Sequence, residues 1–447
     1  MSLKRMKTII LGAAGRDFHN FNTFWRDRDS SEVIAFTAAQ IPDIDGRTYP
    51  PELCGPLYPN GIRIEPEEKL VELIQDNGVG EVVMAYSDLP FAEVMHKAAI
   101  VNAAGADFRI MGHRHTMLKS TKPVIAVCAV RTGCGKSQTS RRIIEILMEK
   151  GTKVVAIRHP MPYGDLGAQR VQRFAEIEDL AKHNCTIEEM EEYEPHIVRG
   201  NVIYAGVDYQ AILDEAENDP RGCDIIVWDG GNNDFPFYVP DLHVTVVDPH
   251  RPGHELSYYP GEITLRLADV VVVNKMDSAD PTGVATVLEN IATVNPEAIV
   301  IKADSVLEME DPTLVKGKMV LVVEDGPTLT HGGMKIGAGV VAAQRCGAQG
   351  FVDPRPFAVG TLAEVFETYP EVGTLLPAMG YGEQQLKDLE TTINNTECDV
   401  VVIGTPIDLN RIIDIKQPNT RVFYNLKEIS HPDLSEVIDT FLAKHNL

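Results

Sequence analysis

Short apolar runs, rich in β-branched residues, recur along the chain between stretches of helical periodicity. They fall at Thr8–Leu11, Val33–Phe36, Glu81–Ala85, Val124–Ala129, Lys153–Ile157, Asp224–Trp228, Val244–Val247, Asp269–Val273, Ile299–Ile301, Met319–Val323, Asp399–Ile403 and Arg421–Tyr424. Continuous apolar runs of this length suit strands buried on both faces, and their alternation with helices predicts βαβ units and parallel sheets. The expected fold class is therefore α/β. Three blocks are expected: a Rossmann-like N-terminal domain over 1–118, a central phosphate-loop nucleotide-binding domain over 119–317, and a C-terminal α/β domain over 318–447. The first opens with a strand and the turn Gly12-Ala13-Ala14-Gly15, but Asp17 stands where a dinucleotide fingerprint has its third glycine. The Pro- and Gly-rich stretch Ile41–Ile64 reads as a long loop near a ligand site.

At 447 residues the chain exceeds what one core usually supports, in keeping with several domains. No apolar run approaches the roughly 18 residues a membrane span needs, and Met1–Met6 lacks the apolar core of a secretory signal. Seven cysteines are scattered without a Cys-x-x-Cys pair, so neither a disulfide framework nor a zinc site is expected, and a cytoplasmic location is. The formal net charge of −24 argues against nucleic-acid or anionic-membrane partners, whose field would repel the chain. An anionic substrate must then be held by local basic loops.

The strongest local signal is Val124–Ser137, a buried strand entering Arg131-Thr132-Gly133-Cys134-Gly135-Lys136-Ser137 and then a helix from Gln138. This order gathers backbone N–H groups and a helix start around an anion. Lys136 is expected to reach the β- and γ-phosphates and Ser137 to hold Mg²⁺, with Thr132, Gly133, Cys134, Gly135 and Gln138 completing the cradle. Val130 occupies the first glycine position of the usual pattern. The loop instead resembles the variant of the Min, ArsA and nitrogenase iron protein ATPases, with Arg131 at the basic position. Arg131 replaces the lysine usual there, which in some members acts across subunits, so that role is not carried over to it; a homo-oligomer is left open.

A magnesium enzyme of this kind needs an acid at a neighbouring strand end. Asp229, after Ile225–Trp228 and before Gly230-Gly231, supplies it. Asn274-Lys275-Met276-Asp277 follows another apolar strand and matches a guanine-recognition pattern, Asp277 accepting from the base and Lys275 packing along it. The loop after Lys153–Ile157 brings Arg158 and His159 as an anion clamp and Asp165 as a second magnesium partner. Arg251 lies in a similar loop beginning at Asp248. In the C-terminal block Thr328, Thr330, His331 and Lys335 follow a strand in a Gly-rich setting, and Asp353-Pro-Arg355-Pro and Gly404–Asp408 are later loops of the same kind.

With WDGGNNDFPFY at Trp228–Tyr238, NKMD at Asn274–Asp277, VEDGPTLTHGGM at Val323–Met334 and LGAAGRDFHNFN at Leu11–Asn22, the chain resembles the cyclic 2,3-diphosphoglycerate synthetase family over nearly its whole length. That resemblance implies an ATP- and Mg²⁺-dependent closure of a small phosphorylated acid into an internal phosphoanhydride. Lys136, Arg131, Arg158 and His159 would then be the catalytic set. The NKMD motif points to GTP instead, and a GTP-driven switch or metallochaperone binding a partner protein is the alternative.

Overall fold

The computed structural model describes residues 5–13, 15–38, 46–159, 161, 164–231, 234–326, 336–378 and 383–447. Strands of the first sheet lie in the order Thr48–Tyr49, Ile62–Pro66, Ser31–Ala38, Met6–Leu11, Glu81–Met84 and Asp107–Ile110, all parallel except the two-residue edge strand. Ile9, Ile10 and Leu11 are fully buried, as a central parallel strand with both faces covered requires.

The second sheet runs Val171–Phe174, Val202–Gly206, Val154–Arg158, Ile225–Asp229, Val124–Ala129, Leu242–Val247, Val270–Val273 and Ile299–Met309. It then continues through Asn419–Glu428, Val400–Ile403 and Met319–Asp325 to Gly350–Phe351. The expected α/β class with parallel sheets is what the structure has. One feature differs from the block reading. Ile299–Met309 pairs in parallel with Val270–Val273 through its first half and antiparallel with Asn419–Glu428 through its second. Sequence positions on either side of 317 thus share one continuous sheet.

Edge strands such as Val171–Phe174 and Asp107–Ile110 did not stand out in the sequence, because their mixed polarity follows from having one exposed side. The stretch read as the loop Ile41–Ile64 holds the strand Thr48–Tyr49 and the short helix Pro51–Cys54, and its first residues, 41–45, lie outside the described set.

Among the contacts that fasten the first sheet to the second, Leu89–Pro90 pairs with Tyr258–Tyr259, Leu118 donates its N–H to the Phe237 carbonyl at 2.7 Å, and Arg16 pairs with Asp234 at 2.8 Å. Among the described residues no helix is long and apolar enough to cross a membrane.

Candidate functional site

Strand Val124–Ala129 is buried throughout and leads through the glycine turn into the helix Lys136–Glu149. Gly135 has φ +104°, and a Cβ there would lie 2.0 Å from Asn274 Nδ2, so only glycine fits. Lys136 begins the helix and donates from Nζ to Asp229 Oδ1 at 2.6 Å. Ser140, one helical turn on, donates to the same oxygen at 2.6 Å. His196 Nε2 lies 3.2 Å from Asp229 Oδ2, and its Nδ1 accepts from Asn201, which fixes the tautomer that donates to the carboxylate.

Arg158 completes this group. One of its nitrogens is 3.5 Å from Asp229 Oδ1 and donates to the Gly230 carbonyl at 2.8 Å, while the other pairs with Glu192 at 2.5 Å. Lys136 and Asp229 keep only 8% and 1% of their side-chain surface exposed. Burial alone would raise the Asp229 carboxyl, but the charges of Lys136 and Arg158 outweigh it and hold the group well below the usual carboxylate range.

Three carbonyls of the phosphate loop are tied back from outside. Thr132 O accepts from Arg251 at 2.7 Å, Gly133 O from Lys275 Nζ at 2.7 Å, and Cys134 O from Asn274 Nδ2 at 2.9 Å. With its carbonyls held outward, the loop can turn amides toward a bound anion. Lys275 has φ +56°, an uncommon conformation for a lysine, and its ammonium also reaches Asp248 at 2.9 Å. The motif Asn274–Asp277 therefore braces the phosphate loop. Asp277 itself faces the other way, accepting from the Ser305 N–H at 3.2 Å and pairing with Arg345 at 3.4 Å. Gln138 also meets Ser305, at 3.3 Å.

Other predicted residues take different places. Arg131 pairs with Asp88, bonds His254 Nδ1 at 2.8 Å and lies 3.7 Å over the Tyr258 ring, so it clamps the two sheets beside the loop. Ser137 is half-buried at the helix start. Asp165 is exposed and its carboxylate accepts from Gly167 and Ala168 in its own turn. His159 packs against the glycines Gly15 and Gly231. Arg355 pairs with Asp353 at 3.1 Å, and Asp408 with Arg411 and Arg421. Asn232, Asn233, Thr328, Thr330, His331 and Lys335 lie outside the described residues.

Several members of the site went unread in the sequence. Ser140 could have been found, since it shares a helix face with Lys136 at i+4. His196 and Glu192 stand on the helix Ile187–Ile197, started by the Thr186–Glu189 capping box, and nothing local marks them as partners of a strand-end aspartate.

The residues present fit a nucleotide and Mg²⁺. Asn274 Oδ1, Arg158 Nε and Arg251 Nη1 are buried without a hydrogen-bond partner, an arrangement that a polar ligand would relieve. Mg²⁺ takes few protein ligands beside phosphate oxygens and water, which Asp229 with Ser137 or Ser140 can supply. Among the described residues, the group with preformed metal-ligand spacing is His431, Asp433 and Glu436 on the surface. There Asp433 and Glu436 form a helix capping box.

Fold and site together define a phosphate-loop α/β protein. No family model matches the sequence. The chain is 59% identical to arginine synthetase ArcE of Thermococcus kodakarensis over 436 residues, 98% of this chain and 97% of that protein, and it belongs to the same family. Cyclic 2,3-diphosphoglycerate synthetase of Pyrococcus furiosus is 30% identical over 96 residues, 21% of this chain and 22% of its own. The resemblance expected over nearly the whole length is thus found over about a fifth of it. Among solved structures, LpxK of Aquifex aeolicus in complex with ATP aligns over 78% of this chain and 97% of its own, with a TM-score of 0.46 and 12% identity.

Proposed function

We propose that this protein is a Mg²⁺- and ATP-dependent synthetase that phosphorylates an oxygen of a small acceptor and then lets a nitrogen nucleophile displace the phosphate, with arginine as its product. The observation that carries the phosphoryl-transfer part is the convergence of Lys136, Ser140, Arg158 and His196 on one buried carboxylate, Asp229. The end-to-end identity with an arginine synthetase supports the acceptor class.

In this reading Lys136 leaves Asp229 for the β- and γ-phosphates when the triphosphate enters, and Arg158 balances charge on the transferring group. Bound Mg²⁺, held by Ser137 and Asp229, would screen the phosphate oxygens. Asn274 donates to the Cys134 carbonyl, so its buried Oδ1 is left as an acceptor, which suits the amino group of adenine better than the carbonyl of guanine. Asp277, engaged by Arg345 and Ser305, is not needed for the base. ATP follows as the nucleotide, with GTP the alternative.

The 96-residue similarity to cyclic 2,3-diphosphoglycerate synthetase favours a second reading, closure of that phosphorylated acid. Both readings require the phosphate loop. Lys136→Ala and Ser137→Ala should each abolish turnover in a folded protein, the lysine variant losing about 10²–10³-fold in kcat. Rates within about threefold of the parent would remove the loop from the chemistry. ADP release stimulated by 2,3-diphosphoglycerate, with no arginine dependence in either direction, would select the second reading.

A further inference from the structure

We propose that the acceptor binds at the junction of the two sheets against His159, and that Arg16 and Asp234 are the positioning residues that hold this imidazole. The proposal rests on the synthetase reading and names where its acceptor sits.

Ligands of parallel sheets collect beyond the carboxyl ends of the strands. Three such ends meet here: Met6–Leu11, followed by Gly12, Val154–Arg158, followed by His159, and Ile225–Asp229, followed by Gly230 and Gly231. The His159 ring lies between glycines from opposite sheets. A Cβ on Gly15 would fall 2.1 Å from its Cε1, and one on Gly231 would fall 2.2 Å from its Cγ.

A chain of fixed groups ends on this ring. Arg16 grips Asp234 through Nε at 2.8 and 3.0 Å, donates to the Phe235 carbonyl, and lies 4.0 and 4.3 Å over the rings of Phe235 and Phe237. Asp234 Oδ2 is 3.8 Å from His159 Nε2. Side-chain exposure is 6% for Arg16 and 2% for Asp234 but 19% for His159, so the imidazole is the member that a ligand can reach.

The charges at the junction select the ligand class. Arg16 is already paired with Asp234, and the neighbouring Arg158 with Glu192 and Asp229, so neither guanidinium is left over. A polyanion such as a diphosphorylated acid would need a surplus of positive groups. An amino acid, with a single carboxylate and its own ammonium, asks for no such surplus.

Gly15→Ala and His159→Ala, singly and combined, test this by calorimetric titration with L-arginine and, separately, with Mg²⁺ and ATP. Each single variant should weaken arginine at least tenfold and leave ATP affinity within twofold. The double variant should bind arginine no more weakly than His159→Ala, because the added methyl no longer meets a ring. Arginine affinity within twofold of the parent in both single variants, or losses that add in the double, would overturn the subsite. If Gly15→Ala fails to fold, Arg16→Lys takes its place, losing the Nε–H that the two Asp234 oxygens share and the stacking on Phe235 and Phe237. Its effect must likewise vanish in the His159→Ala background. A parent that binds ATP and 2,3-diphosphoglycerate but not arginine would instead overturn the arginine reading, whereas arginine binding indifferent to His159 overturns only the subsite.

Discussion

Replacing Asp229 by asparagine removes one negative charge from beneath Lys136, Arg158 and His196 while keeping the side-chain shape. Arg158 retains Glu192 at 2.5 Å. Lys136, 8% exposed, is left without the carboxylate 2.6 Å away. Breaking a buried pair by removing one partner costs about 3–5 kcal/mol, and because Arg158 keeps a second carboxylate and only Lys136 is stranded the lower figure, about 3 kcal/mol, is expected.

The loss must depend on pH. The folded-state pKa of Asp229 is depressed, so its contribution is fully present above the ordinary carboxylate value and disappears as pH falls through the folded value. Urea denaturation at pH 7 and at a series of acid values should show the parent losing its advantage over Asp229→Asn in that acid window. The magnesium titration of turnover should also shift to higher concentration in the variant, since an amide cannot balance the ion's charge. Equal stabilities at pH 7 together with an unchanged magnesium titration would refute this account of the site and move the metal elsewhere, with Asp165 the next candidate.

Asp277→Asn should leave ATP affinity unchanged, because its carboxylate bonds Ser305 and Arg345; a loss of about 2–4 kcal/mol for GTP alone would show that it reads guanine. Glu189→Gln should stabilise the fold at pH 8. Burial pushes the Glu189 carboxyl up from 4.5 to about 7, so its favourable contribution holds below pH 4.5 and is lost as pH rises through 7, at most about 3 kcal/mol. The glutamine keeps the capping-box acceptor for Thr186, and thermal melts at pH 4 and pH 8 should differ accordingly.

How far the site could be read from sequence depended on whether its chemistry is local. The glycine turn, Lys136 and the strand-end Asp229 each announce themselves within a dozen residues, because strand, turn and helix are consecutive in the chain. The partners of Asp229 do not. His196 is 33 residues away from it, and the Arg16–Asp234 grip spans 218 residues, pairings created only when the sheets meet. The Asn274–Asp277 motif illustrates the limit differently: its position at a strand end was legible, but Arg345, which occupies Asp277, comes from a helix of the continuing sheet. The resemblance to the cyclic 2,3-diphosphoglycerate synthetase family rested on short motifs, and it extends over 96 residues where nearly the whole length was expected.

By microscopic reversibility, a synthetase that makes arginine at the expense of ATP must form ATP when given arginine, ADP, phosphate and Mg²⁺. Luciferase detection of ATP in that mixture tests the central claim directly. The account predicts ATP that requires arginine and disappears in Lys136→Ala; no arginine-dependent ATP from the folded parent, or equal ATP without arginine, would contradict it.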